Sequence, residues 1–230
     1  NKTVHAEYIS AIQYSYNLDL QIVNINKDGD VTKANPSELM QLIMDAMFGS
    51  SMNDVATEMM PFGEAMMGGG IQNNFCEIVP ANDGAVVNEM IYNQYDLVYG
   101  TWPNSYNEIV LIVDEKNEID DLTLYALGLM SKEEINALAD AAFNKKPIES
   151  SNNRWTYEQI CDLEYRVILN SDRYINIDGK YVDLVEYDQT LLSEIYDSKG
   201  IDLKVTGIIR PNADASSNML SGSIAYTNLL

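Results

Sequence analysis

Residues 12–31 read IQYSYNLDLQIVNINKDGDV, and the first half of this stretch alternates without a slip. Ile12, Tyr14, Tyr16, Leu18, Leu20 and Ile22 fall on one side, with Gln13, Ser15, Asn17, Asp19 and Gln21 on the other. A period of two from Ile12 to Ile22 predicts a half-buried strand with one wet face. Asp28-Gly29 then supplies a hairpin signal. Beyond it, Asn35 as N-cap, Pro36 in the first helical position and Glu38 closing a capping box predict a helix. Leu39, Leu42, Ile43, Ala46 and Met47 share its apolar face. Strand, hairpin and helix in that order set the expectation for the chain: an α+β fold, with mixed sheets, hairpins and three to five helices.

The remainder supports that class. Strands are predicted at Phe75 to Val79, Ile91 to Val98, Glu108 to Val113, Tyr165 to Leu169, Leu203 to Ile209 and Ile224 to Tyr226. A turn at Pro103-Asn104 precedes the third of these, and Asp178-Gly179 centres a hairpin from Tyr174 to Val185. Helices are expected after Asp120-Asp121, and behind the capping boxes Ser131/Glu134 and Thr156/Gln159. The second of these is amphipathic through Ile135, Leu138, Ala139, Ala142 and Phe143, ending at Lys146-Pro147. Another carries Leu191, Leu192 and Ile195, and stops at Lys199-Gly200. From Gly49 to Asn74 the periodicity dissolves into Met, Gly and Pro, which predicts a mobile loop or helical flap.

The chain has 230 residues, with 35 acidic against 14 basic, a net charge of −21. Lys145-Lys146 is its one adjacent pair of cations, so phosphate-rich polymers and anionic headgroups are poor partners. No apolar run approaches the ~20 residues that cross a bilayer. Asn1 follows no initiator Met or signal-peptide pattern, as expected of a processed or excised piece. Cys76 and Cys161 lie among apolar neighbours, which favours buried, inert thiols, and their pairing stays open.

Candidate chemistry is sparse. His5 is the single histidine, and its position ahead of the first strand suits neither a catalytic triad nor a zinc site. Glu158, Asp162 and Glu164 lie near Trp155, a pattern compatible with sugar chemistry, although solvated acids are the simpler reading. Asn24, Asn26, Asp28 and Asp30 alternate ahead of Val31 with Gly29 in the sixth position from Asn24, as in the front half of a calcium loop. Asn35 stands where a bidentate Glu belongs, so a plain Asp-Gly turn is the simpler reading there too. Eight of the eleven methionines fall between Met40 and Met67. Of these, Met59, Met60, Met66 and Met67 are candidates for adaptable apolar contact with a substrate or partner, ahead of soft Cu(I) binding. No cofactor is expected.

Four segments carry a family resemblance. Tyr95-Asp96-Leu97-Val98-Tyr99-Gly100-Thr101-Trp102-Pro103, followed by Asn107-Glu108-Ile109-Val110-Leu111, resembles a stretch of the extracytoplasmic domains of FtsX-like or MacB-like ABC transporter permeases. Leu203 to Pro211 resembles their closing strand, and Ser221 to Thr227 is similar to the segment after that strand in Gram-positive versions. Asp121 to Gly128 reads like those versions as well. The resemblance implies a non-catalytic domain on the extracytoplasmic face of the membrane, inserted between transmembrane helices. It implies partnership with those helices and a cytoplasmic ATPase, and contact with a peptide or a lipoprotein; the acidic charge, for its part, favours a cationic peptide and rules against nucleic acid as a partner. It also implies two subdomains, 1–48 with 200–230 near the membrane and 75–199 distal, with 49–74 as an insert. The alternative is a secreted calcium-dependent adhesion or carbohydrate-binding module. A carboxylate-based surface hydrolase ranks third.

Overall fold

The computed structural model describes residues 12–13, 20–34, 74–81, 84–143, 153–187, 190–213, 215 and 219–230. The helix expected over 36–47, the Met- and Gly-rich stretch, and the Lys146-Pro147 helix end lie outside them. Among the described residues the strands are β1 (Gln21–Ile25), β2 (Val31–Lys33), β3 (Phe75–Glu77), β4 (Tyr95–Gly100), β5 (Glu108–Ile112), β6 (Glu164–Ile168), β7 (Tyr174–Ile177), β8 (Lys180–Asp183), β9 (Ile201–Pro211) and β10 (Ile224–Tyr226). The helices are α1 (Glu89–Gln94), α2 (Asp121–Ala126), α3 (Lys132–Phe143), α4 (Tyr157–Cys161), α5 (Asn170–Arg173), α6 (Leu184–Tyr187) and α7 (Leu191–Ser198). They outnumber expectation because single turns such as α5 and α6 are too short to leave a periodic pattern. The class is α+β, as read from the sequence.

Eight strands form one mixed sheet in the order β2-β1-β6-β9-β5-β10-β3, with β4 also on β9; β7 and β8 pair apart. The β5/β9 and β10/β3 pairs are parallel and the others antiparallel. β9 is the hub. Along one edge it pairs with β5; along the other it pairs first with β6, over Ile201 to Lys204, and then with β4, over Gly207 to Pro211.

Such a strand must keep its apolar residues on the right faces over its whole length, and a bulge achieves this. Val205 pairs with Ile109 but Gly207 with Val110, which leaves Thr206 as the extra residue. Without it, strict alternation would turn Ile208 away from Leu203 and Val205. With it, all three enter one core with Ile22, Ile109, Leu111, Tyr165 and Ile224. Val110 and Ile209 face the opposite side, into a cluster with Cys76, Ile78, Ile91 and Tyr95. A third cluster sets Val23 and Ile168 against Val185, Leu192, Ile195 and Tyr196. The main core thus fills one face, and two smaller ones cover parts of the other.

β4 approaches β9 closely at two glycines. A Cβ on Gly207 would sit 2.4 Å from the Thr101 carbonyl oxygen, and one on Gly100 would sit 2.2 Å from that of Thr206. Gly100 also adopts a φ of +74°. Gly207 thus lies next to the bulge and at the point of close approach, the two uses a glycine inside a β-branched strand commonly has.

Predicted caps form as read. Asp120 Oδ1 accepts from Thr123 N at 2.9 Å. Ser131 and Glu134 bond reciprocally at 2.8 and 3.2 Å, and so do Thr156 and Gln159. The hairpin at Asp178-Gly179 closes with both residues at positive φ, the primed-turn geometry that two-residue hairpins favour.

Two expectations are corrected. Ile12 and Gln13 are not strand and Ile12 is exposed, while 14–19 lie outside the described residues; among the described ones the strand covers Gln21 to Ile25, with Gln21, Ile22, Val23 and Asn24 all buried. β1 lies between β2 and β6 with cores on both faces, so it has no wet side. The strand read at Ile91 to Val98 is α1 followed by β4. Asn88 Oδ1 caps α1 through Met90 N at 2.9 Å, and Ile91 and Tyr95, four residues apart, both point inward. The sheet also runs across the line between 1–48 with 200–230 and 75–199. β9, from the first group, pairs with β4, β5 and β6 of the second, so their strands share one hydrogen-bonded sheet.

Gly100→Ala and Gly29→Ala separate the steric and conformational costs. Gly29 also has positive φ, but nothing lies within 4 Å of its Cβ position. Gly29→Ala is expected to lose about 1–2 kcal/mol from strain alone. Gly100→Ala should lose about 1–3 kcal/mol more, since backbone must move. Urea unfolding of both variants checks this, and equal losses would refute a close β4–β9 contact.

Candidate functional site

The segments that carry the family resemblance become neighbours in space. Tyr95 to Gly100 is β4, Glu108 to Ile112 is β5, Ile201 to Pro211 is β9 and Ile224 to Tyr226 is β10, standing side by side as β4–β9–β5–β10. The link between β4 and β5 is pinned by buried Pro103, and Glu108 Oε2 accepts from Asn104 N at 2.7 Å. Trp102 meets Tyr92 edge-on at 4.9 Å. Buried Thr227 donates its hydroxyl to Ser105 O at 3.2 Å, tying the end of β10 to the same link. Asp121 to Gly128 supplies α2 and a glycine at φ +74°, whose carbonyl accepts from Lys27 N at 2.9 Å.

The four oxygen-bearing residues of the calcium-like stretch separate. Asn24 is buried: its amide donates to Ala126 O at 2.7 Å, and its oxygen accepts from the Thr32 hydroxyl at 2.8 Å. Asn26 Oδ1 accepts from the backbone of both Asp28 and Asp30 at 2.9 Å, which ties the turn internally. Only Asp28 and Asp30 are exposed acids, so the stretch works here as a β1–β2 hairpin. Among the described residues no group of three or more His, Cys, Asp or Glu is arranged to hold a metal ion. His5, Met59, Met60, Met66 and Met67 lie outside the described residues.

The acids near Trp155 also take different places. Glu164 is on β6, opposite Lys204 of β9. Glu158 lies on α4 and Asp162 caps its C-terminus, and both flank Tyr99 of β4. The Tyr99 hydroxyl donates to Glu158 Oε1 at 3.3 Å, and its ring lies 5.4 Å from that of Tyr157 at a 32° tilt. The Glu158 carboxylate pushes the Tyr99 phenol above its ordinary value. Hydrogen bonds from its own backbone N–H, from Thr156 and from Tyr99 hold Glu158 below the usual carboxylate range. Trp155 instead packs half-buried against the core. The surface therefore offers two tyrosine rings edged by carboxylates.

A second surface was not foreseen. β7 and β8 form an arm that stands apart from the main sheet, with Ile175 opposite Val182 and Ile177 opposite Lys180 on one face. Tyr174, Ile175, Ile177 and Tyr181 are exposed, Tyr181 at 75%, as is Leu169 just before the arm. Isolated hairpins are marginal in water, so the base has to be fixed. Arg173 and Asp183, both buried, form an ion pair there, and Asp183 Oδ1 also accepts from Val185 N at 3.0 Å. The sequence signal was opposite charges one step off register across the Asp178-Gly179 turn, with no hint of burial.

Compared with known proteins, the chain matches no family model, no curated protein and no solved structure. Among the described residues no helix is long and apolar enough to cross a membrane.

Both cysteines are free, Cys76 buried and Cys161 half-buried. Burial raises the Cys76 thiol from an ordinary value of 9.0 to about 11, and burial likewise raises Cys161. Because the folded value lies above the unfolded one, Cys76 favours folding below about pH 9 and loses that contribution as the pH rises through about 11. Iodoacetamide at pH 8 is expected to modify Cys161 first and Cys76 only on unfolding, which peptide mass spectrometry follows; equal rates would contradict the burial of Cys76. Asp183→Asn strands the Arg173 charge and should cost the arm about 3–5 kcal/mol. Hydrogen exchange should then lose protection over 174–183 while β5 and β9 retain theirs, and an unchanged arm would show that the ion pair does not hold it.

Proposed function

We propose that this chain is the extracytoplasmic domain of an FtsX-like or MacB-like ABC transporter permease. It is a mechanical and recognition module with no active site of its own. The observation that carries the reading is spatial. Apart from Asp121 to Gly128, which forms α2, the segments quoted for the resemblance are scattered over more than a hundred residues of sequence, yet they form four adjacent strands, β4–β9–β5–β10. Chance likenesses have no reason to assemble into one continuous unit. The residues that recur in them are a turn proline, two close-approach glycines and core aliphatics, the parts of a mechanical frame rather than of a reaction centre.

In this reading the partners are transmembrane helices of the same polypeptide and a cytoplasmic ATPase, whose movement the sheet transmits. The cargo or client is a peptide or lipoprotein met outside the membrane. The net charge of −21 favours cationic clients by long-range attraction. The rival reading, a secreted calcium-dependent module, loses support because the Asn24 and Asn26 oxygens already serve the hairpin. Fold-level likeness does not select the cargo.

Fractionation of the native organism with an antibody against this domain tests the proposal. The expected antigen is a polypeptide longer than this chain that stays with washed membranes, needs detergent for release and is cut when intact cells are shaved with protease. A free band of about this chain's mass in the medium would refute it.

A further inference from the structure

We propose that Tyr99, Tyr157 and Glu158 form a receptor for a cationic side chain, the arginine or lysine of a partner peptide. The inference deepens the permease reading and rests on it for the origin of that peptide.

Tyr99, half-buried against the main core, comes from β4 and exposed Tyr157 from the start of α4, so two distant segments bring two rings together, 5.4 Å apart. The next residue, Glu158, is exposed, and the Tyr99 hydroxyl holds its carboxylate at the edge of the pair. Asp162 follows four residues later, also exposed. Like charges at this helical spacing repel, a cost that a bound cation would relieve. Glu158 also accepts hydrogen bonds from its own backbone N–H and from Thr156, which fix its carboxylate beside the rings. Charges that bear on the Tyr99 phenol, Glu158 foremost and Asp162 among them, are negative.

Charge complementarity therefore selects the occupant. A cation over a tyrosine face is attracted by the ring quadrupole, and a flanking carboxylate adds a charge-assisted hydrogen bond. Arginine fits better than lysine, since its planar guanidinium stacks on a ring while its N–H groups reach the acid. A sugar would also stack on the rings, but the negative charge edging them gives it no comparable gain.

The test uses a fluorescein-labelled peptide, Gly-Arg-Gly-Arg-Gly, against its citrulline counterpart, read by anisotropy at low salt. The arginine peptide is expected to bind and the citrulline peptide to bind about tenfold more weakly. Glu158→Gln and Tyr157→Leu should each weaken the arginine peptide several-fold. Glu115→Gln removes the same charge from an exposed site elsewhere and should leave affinity near its original value. Circular dichroism confirms folding, since the altered side chains are exposed. Equal weakening by Glu158→Gln and Glu115→Gln would mean that the diffuse field alone attracts cations, and would overturn the proposal. Absence of arginine-peptide binding would overturn it too. Neither result touches the fractionation experiment, so the two readings fail separately.

Discussion

The structure depends on how closely the backbones of β4 and β9 approach at Gly100 and Gly207. One strand serves three partners, and the bulge at Thr206 is what lets it do so while its apolar residues stay in the correct cores. Thr101 N donates to Thr206 O at 2.8 Å, so the bulged residue is held by the strand that crowds it. If the bulge were removed, Ile208 and Ile209 would exchange faces, and the main core and the smaller one around Ile91 would each lose a residue they bury completely. Few single positions in the chain have consequences on both sides of the sheet.

That arrangement also leaves a polar strip. The main core fills one face, but on the other face the two smaller cores lie apart, and Arg166, Asp202, Lys204 and Glu164 occupy paired positions on β6 and β9. Arg166 Nε meets Asp202 Oδ1 at 2.6 Å, and its guanidinium lies 4.9 Å from the centre of the Tyr196 ring. With Asp202 largely exposed, this pair contributes little to stability. The strip belongs to the surface, and the aliphatic rows on either side of it hold the sheet.

Local chemistry was legible and topology was not. Asp120, Ser131/Glu134, Thr156/Gln159 and both Asp-Gly turns could be read because a cap or turn depends on a few consecutive residues. The α1–β4 boundary was missed because Ile91 and Tyr95 fit either period, and only Asn88 favoured a helix. β1 misled because its two-sided burial depends on neighbours from far along the chain. Of the candidate site, Glu158 and Asp162 were named from sequence. Tyr99 was not associated with them, since nothing local indicates that β4 and α4 meet. The arm was read as a hairpin, but its separation from the main sheet is a fact of packing that no local pattern carries.

The position of β9 in the chain governs how this domain can be made. Thr206 and Ile109, which touch through a hydroxyl–carbonyl contact, are separated by 97 residues. β4, β5 and β6 all leave the ribosome before the strand that unites them, so their central edges stay open for most of synthesis. Non-local pairing of this kind is slow, and open edges invite association with other chains. Folding of the sheet therefore waits until β9 has emerged, and protection of β5 in the interval falls to whatever receives the nascent polypeptide.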